Sequence, residues 1–371
     1  MNAHGPTVRE LRTTPSQLRA LAALNPALFP VLFDSTAVGA LGRYSILACQ
    51  PGASLLLRGD GRLECEGVTL HSPDFLDALD EWWRTERSDA EPLPPLPFRG
   101  GWIVYLGYEL AGHVERGLHI PTLPADAVCA LALRVHAALV HDHAEQRSFV
   151  VAESNVDAVA AGIEAALTAL PRANGAAGAA QPLAIIEQQA DQFRDIVLCA
   201  QEHIGCGDVY QANLSRGWRV EYGAEAAAGA LYESLRRANP APFAVHATLP
   251  DLTVLSSSPE RLVRVTGRRV ETRPIAGTRA RHGSPKSDAT EKQELLANAK
   301  ERAEHVMLID LERNDLGRIC HAGTVEVNEF MVTESYPHLH HIVSNVRGML
   351  RDDVTPGAVL RAVFPGGTIT G

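Results

Sequence analysis

No long basic run occurs in this chain of 371 residues, and its formal net charge of −10 argues against nucleic acid as a partner. The amino terminus lacks the charged, apolar and small-residue order of a signal peptide. There is no uninterrupted apolar run of membrane length either, because the stretch Ala127 to Val140 is broken by Arg134 and His136. Together these absences predict a cytoplasmic protein without membrane attachment. The six cysteines (Cys49, Cys65, Cys129, Cys199, Cys206 and Cys320) form no CxxC pair and no zinc spacing, which predicts reduced thiols and no structural disulfide. No repeat of solenoid length is present.

What is present suits a globular enzyme: 46% hydrophobic content and enough length to bury a large core. The first half reads as antiparallel strands, with hairpins at 55–65 and 133–153, a short helix at 75–83 and a buried strand after the proline-rich 91–97. Residues 171–182 turn to Ala, Gly, Asn and Gln, which marks a flexible linker between an amino-terminal subdomain, 1–170, and a second region, 183–371. That second region alternates: helices over 189–204 and 225–238, strands over 210–220 and 243–255, and a hairpin over 262–271.

The stretch Ala299 to Arg318 is the most informative. Leu295, Ala299, Ala303 and Met307 recur at four-residue steps, which predicts a helix with one apolar face, and Asp288 with Glu291 reads as a capping box. The same stretch carries Glu301, Glu304, Asp310, Glu312 and Asp315. Carboxylates near a buried face cost free energy unless paired, hydrogen-bonded or bound to a cation, so at least one should have a partner.

Taken with GDVYQANLSR (207–216), SSSPERL (256–262), RPIAGTR (273–279), ESYPHLHHIVS (334–344) and FPGGTITG (364–371), this helix resembles the chorismate-utilising enzymes. These include the first components of anthranilate synthase and aminodeoxychorismate synthase. The resemblance implies an α/β (α+β) fold in which two large antiparallel sheets pack together, clad by helices. It implies a cleft for chorismate with one Mg²⁺, a hard cation that would neutralise a substrate carrying two carboxylates. Glu304 matches one of two metal-binding glutamates. The second belongs to a segment beyond Gly371, so the resemblance also implies a chain truncated at its carboxy terminus and inactive by itself.

Further roles carry over by motif. Glu260 matches the acid that protonates the departing C4 hydroxyl, a salt bridge to Arg261 or Arg264 being its structural alternative. His341 matches the active-site histidine, with His338 and His340 read as structural. Gly277 and Thr278 match a turn that touches substrate. Gly366, Gly367 and Thr368 match a backbone cradle for a carboxylate, with a plain glycine turn as the alternative. Glu260, Glu304 and His341 are thus expected to share one pocket.

Gln211 stands where the water-adding relatives carry a lysine base, and glutamine cannot serve as that base, so ammonia is the expected nucleophile. Because Cys199 and Cys206 lack the surroundings of an amidotransferase nucleophile, ammonia is expected from a glutamine amidotransferase partner. Ala276 in PIAGT is shared with anthranilate synthases, whereas aminodeoxychorismate synthases usually carry a lysine there. The compact first half and HLHH favour aminodeoxychorismate synthase, which is the first expectation, with anthranilate synthase the alternative. A non-catalytic binding or docking remnant is a third reading. Finally, Ser35 in FDST and Asn239-Pro240 match a tryptophan site, the alternative being that Ser35 caps a turn.

Overall fold

The structure is a computed structural model that describes residues 7–37, 41–87, 96–115, 117–118, 120–171, 181–223, 227–281, 285–336 and 339–370. Along the chain run β1 (Thr7–Glu10), α1 (Pro15–Leu24), β2 (Val31–Asp34), β3 (Tyr44–Arg58), β4 (Leu63–Glu66), α2 (Phe75–Glu86), β5 (Gly101–Leu106), α3 (Ala111–Val114), β6 (Val128–Asp142), β7 (Arg147–Ala152) and α4 (Val156–Thr168). There follow β8 (Pro182–Glu187), α5 (Ala190–Cys206), β9 (Trp218–Tyr222), α6 (Ala228–Ala238), β10 (Phe243–Leu249) and β11 (Leu252–Ser258). The remainder comprises β12 (Arg264–Thr266), β13 (Arg269–Thr272), β14 (Ile275–Ala280), α7 (Pro285–Ala297), α8 (Ala299–Gly317), β15 (Glu326–Ser335), β16 (Leu339–Met349), α9 (Pro356–Val363) and α10 (Gly367–Thr370).

These elements form two compact units. One comprises Met1–Ala176, Tyr232–Arg261 and Asp352–Arg361, the other Ala177–Leu231, Leu262–Arg351 and Ala362–Gly371. The first crossing falls within 171–182, of which 172–180 lie outside the described residues, as do most of the proline-rich stretch and His338. The fold is mixed α/β with antiparallel sheets, as expected, and no described helix is long and apolar enough to cross a membrane.

The first unit is built on a nine-stranded antiparallel sheet in the order β1-β7-β6-β3-β2-β10-β11, with β4 on β3 and β5 on β6. β6 is apolar almost throughout because both its faces are covered: Ala137 and Leu139 pack with Leu18, Leu21 and Ile163 of α1 and α4, while Ala138 and Val140 join a second cluster with Val151. The expected hairpins are there as β3–β4 and β6–β7, and Trp82 is wholly buried.

In the second unit β16 is the central strand. β15 pairs along one side of it; on the other side β13 pairs with 346–349 and β14 with 339–343. Successive side chains of a strand point to opposite faces, and the contacts of β16 follow this rule. His340 approaches Asp288 of α7, Ile342 packs with Leu295 of α7, and Ser344 bonds His305 of α8. His341 therefore belongs to the face turned away from α7 and α8. A separate two-stranded sheet joins β8 to β9; the strand expected over 210–220 begins only at Trp218, and Tyr210 is fully exposed.

The helix expected over 299–318 is α8, but its buried face differs from the expected one. Leu295 is buried, whereas Ala299 and Ala303 are exposed; His305, Leu308, Ile309, Glu312 and Leu316 are inside. The cause is a break at Asn298, whose side-chain oxygen accepts from the N–H groups of Lys300 (3.0 Å) and Glu301 (3.2 Å) and starts a new helix with a new phase. Asp288 does not make a capping box either: its carboxylate accepts from Arg281 at 2.8 Å.

Candidate active site

β14 and β16 bring together Thr278 and His341, which are direct cross-strand partners. Thr278 Oγ1 lies 3.1 Å from His341 Nδ1. His341 is buried, and burial holds its imidazole below the ordinary histidine pKa, opposed by a hydrogen bond to the Gly277 backbone and by the charge of Glu334. It is therefore neutral at pH 7, with Nε2 as the nitrogen that Thr278 does not engage.

One residue earlier β14 bulges. Gly277 sits there at φ +74°, and a side-chain carbon would come within 3.0 Å of Glu301 Oε2, 3.1 Å of Leu295 Cδ1 and 3.4 Å of Ile342 Cδ1. Only glycine meets both demands without strain. The neighbouring Ala276 is buried, and Arg279 reaches Glu301 at 3.7 Å. The sequence holds three lysines, Lys286, Lys292 and Lys300, and none lies in β14 or beside Gln211.

α8 carries a line of groups between two glycine turns. Glu301 lies against Gly277, and ten residues further, about 15 Å along the axis, Leu311 packs under Gly367 with Cδ1 3.3 Å from the position of an added Cβ. Glu304 is half-buried on the same side of the helix, between these points. The turn at Gly366, Gly367 and Thr368 is fixed from the other side: Asn213 Nδ2 donates to the carbonyls of Thr368 and Ile369 at 2.9 Å, and Gln211 Nε2 donates to Asn213 Oδ1 at 3.2 Å. Thus Gln211 and the Gly366–Thr368 turn, read separately from sequence, belong to one hydrogen-bonded group.

Behind Glu304, His305 is fully buried, with Nε2 2.7 Å from Ser344 Oγ, and burial pushes its pKa down to about 4. Ser344 Oγ also accepts the N–H of Met331 at 2.9 Å. His340 is buried, with Nδ1 2.9 Å from Ser335 Oγ.

Among the described residues no three His, Cys, Asp or Glu side chains converge as a metal cage. Between Gly277 and Gly367 this side of α8 offers Glu301, approached by Arg279, and the half-buried Glu304. Mg²⁺ usually keeps several waters and takes one or two carboxylates with substrate oxygens, so an all-oxygen donor of this kind fits its chemistry.

In the first unit, Glu260 follows β11; its N–H donates to Ser258 Oγ and its carbonyl accepts from the same hydroxyl, both at 3.2 Å. Arg264, in the second unit, is paired with Glu271. The buried Ser35 donates to the carbonyls of Tyr44 (2.7 Å) and Pro242 (3.2 Å), the second lying just after Asn239-Pro240. The Asn239 carbonyl accepts from Ser257. Asp34 is also buried and accepts from Ser45 (3.0 Å) and Tyr232 (3.1 Å). Sequence reading named Glu301 among the carboxylates expected to be paired, but assigned no role to Asn213 or to Tyr336, whose ring lies edge-on to His341 with centroids 5.7 Å apart.

The family described as chorismate binding enzyme matches residues 43–371. Aminodeoxychorismate synthase component 1 of Bacillus subtilis is 37% identical over 354 residues, covering 89% of this chain and 72% of that protein. Anthranilate synthase component 1 of Streptomyces coelicolor is 41% identical over 306 residues, covering 76% of this chain and 58% of that protein. The crystal structure of anthranilate synthase component I from Streptococcus pneumoniae superposes with a TM-score of 0.76 at 29% identity, covering 90% of this chain and 75% of that one. With its family region, its β14 bulge and the carboxylate face of α8, the chain belongs to the chorismate binding enzymes. Relatives named aminodeoxychorismate synthase and anthranilate synthase stand at comparable identity to it.

Proposed function

We propose that the protein acts as an aminodeoxychorismate synthase component I, aminating chorismate with ammonia supplied by a glutamine amidotransferase subunit, with Mg²⁺ as cofactor. What supports this reading is the family match, a neutral His341 beside Thr278 on one face of the β14–β16 sheet and, on the face that α8 covers, the carboxylate-bearing line from Gly277 to the Gly366–Thr368 turn. When bound, Mg²⁺ would be held by Glu304 and would neutralise carboxylate charge on the substrate. His341 and Thr278 orient the substrate's polar groups, and the backbone of Gly366 and Gly367 binds a carboxylate. Glu260 holds the proton for the departing hydroxyl, following its place in SPE. Gln211 has no proton-accepting amine, which favours ammonia over water as nucleophile.

Anthranilate synthase is the second reading, favoured by one observation: Ala276 is a buried methyl group where covalent capture of the substrate ring would need an amine. Under the first reading ammonia must therefore attack directly. Tryptophan is a further proposed ligand, at Ser35, Asn239 and Pro240. Incubation with chorismate, Mg²⁺ and ammonium decides between the readings. A product that becomes aromatic only after a separate lyase is added supports the first. Anthranilate fluorescence without a lyase defeats it in favour of the second, and unconsumed chorismate defeats both.

A further inference from the structure

A chain of contacts that no motif role accounts for ends on His341. Arg273 donates Nε (3.1 Å) and one terminal nitrogen (2.6 Å) to Glu334 Oε1, and its other terminal nitrogen to Glu329 at 2.6 Å. The second oxygen of Glu334 accepts from the Tyr336 hydroxyl at 2.8 Å. The Tyr336 ring then meets His341 edge-on, at 63° between planes. Its backbone is pinned on both sides: its N–H donates to the Leu339 carbonyl at 2.8 Å and its carbonyl accepts from Arg281 at 3.3 Å. Glu334 is also the direct cross-strand partner of His341, opposite Thr278, so the row across three strands reads Thr278, His341, Glu334.

We propose that Tyr336 is a positioning residue for His341, anchored through Glu334 and Arg273, which keeps the imidazole turned so that Nδ1 faces Thr278 and Nε2 is left for the substrate. The inference rests on the reading of His341 as an active-site group. An imidazole can flip about its last torsion, which is broad and roughly two-fold, and hydrogen bonds to Thr278 and to the Gly277 backbone, both on β14, hold it from one side only. A ring packed edge-on, itself tied to a carboxylate held by a guanidinium, removes the second orientation. Arg273 makes this possible, since a half-buried carboxylate without its partner would be costly.

The charged and titratable groups about His341 are Glu334 on β15, Tyr336 just after it, His340 on β16 and, one contact further, Arg273; β14 offers the uncharged Thr278. Arg279 and Glu301 are paired with each other. Glu334 is thus the anion that raises the affinity of His341 for a proton, and its charge should be readable in the titration of that histidine.

The test compares Tyr336→Phe, Tyr336→Ala and Glu334→Gln in the intact protein. Losing the ring should lower kcat roughly 10-fold with KM within about 2-fold, and losing only the hydroxyl about 3-fold, as expected when an orienting contact rather than a binding contact goes. Glu334→Gln keeps an acceptor for Tyr336 but should shift the acid limb of kcat/KM to lower pH. Nitrogen-edited spectra of the His341 ring give a readout independent of turnover: one tautomer in the native protein, a mixture in Tyr336→Ala. If Tyr336→Ala does not fold, Tyr336→Phe carries the spectral comparison. Unchanged kcat, acid limb and ring spectrum would overturn the proposal. A native protein that leaves chorismate intact would defeat the proposed function, while the ring spectra would still decide the positioning role.

Discussion

Replacing Gly277 with alanine is the sharpest local test of the β14 bulge. At φ +74° an L-residue costs about 1–2 kcal/mol of backbone strain. The added carbon also lands 3.1 Å from Leu295 Cδ1 and 3.4 Å from Ile342 Cδ1, both on fully buried side chains that cannot retreat into solvent. Overpacking of this kind adds about 1–3 kcal/mol, for a total of about 2–5 kcal/mol. Glu301 can swing away from its 3.0 Å contact, but only by leaving Arg279. Gly267 supplies the control, because its φ of +60° imposes the same strain while nothing lies within 4 Å of an added Cβ. Gly267→Ala should therefore cost only about 1–2 kcal/mol. Urea unfolding of both variants, followed at constant m-value, gives the difference. Equal losses would refute the packing argument, and a loss for Gly277→Ala below that for Gly267→Ala would refute the bulge geometry.

Two further outcomes follow from α8 and its contacts. His305 has its pKa depressed to about 4 by burial, so the unfolded chain binds more protons between that value and the ordinary histidine pKa. Its contribution to stability is present above about pH 6.5 and is lost as the pH falls toward 4, by at most about 3 kcal/mol. His305→Asn, measured by denaturation across that range, should flatten the dependence; an unchanged slope would contradict it. Asn298→Ala removes the acceptor for two N–H groups at the start of α8 and should cost about 1 kcal/mol by thermal melting, with Asn298→Ser recovering most of it.

Much of the local structure could be read from residue order because its causes are local. The hairpins at β3–β4, β6–β7 and β12–β13 follow from turn residues between extended runs, and α5, α6 and α8 fall close to the expected spans. The buried face of α8 was misread because one polar cap, Asn298, resets the helical phase; Leu295 and Ala303 belong to different helices. The return of Tyr232–Arg261 to the first unit depends on β10 pairing with β2, more than 200 residues away, and no local pattern encodes that pairing. Thr278 and His341 could each be named from a motif, but their contact depends on strand register. Tyr336 was passed over beside HLHH because its role arises from Arg273 and Glu334, one on each of two other segments.

A crystal of the protein grown with Mn²⁺ in place of Mg²⁺ and soaked with chorismate tests the central claim most directly. The account predicts an anomalous peak on the Glu304 carboxylate, and chorismate within hydrogen-bond reach of Thr278 and His341. Metal or chorismate bound away from these side chains, at concentrations that saturate the protein in solution, would contradict it.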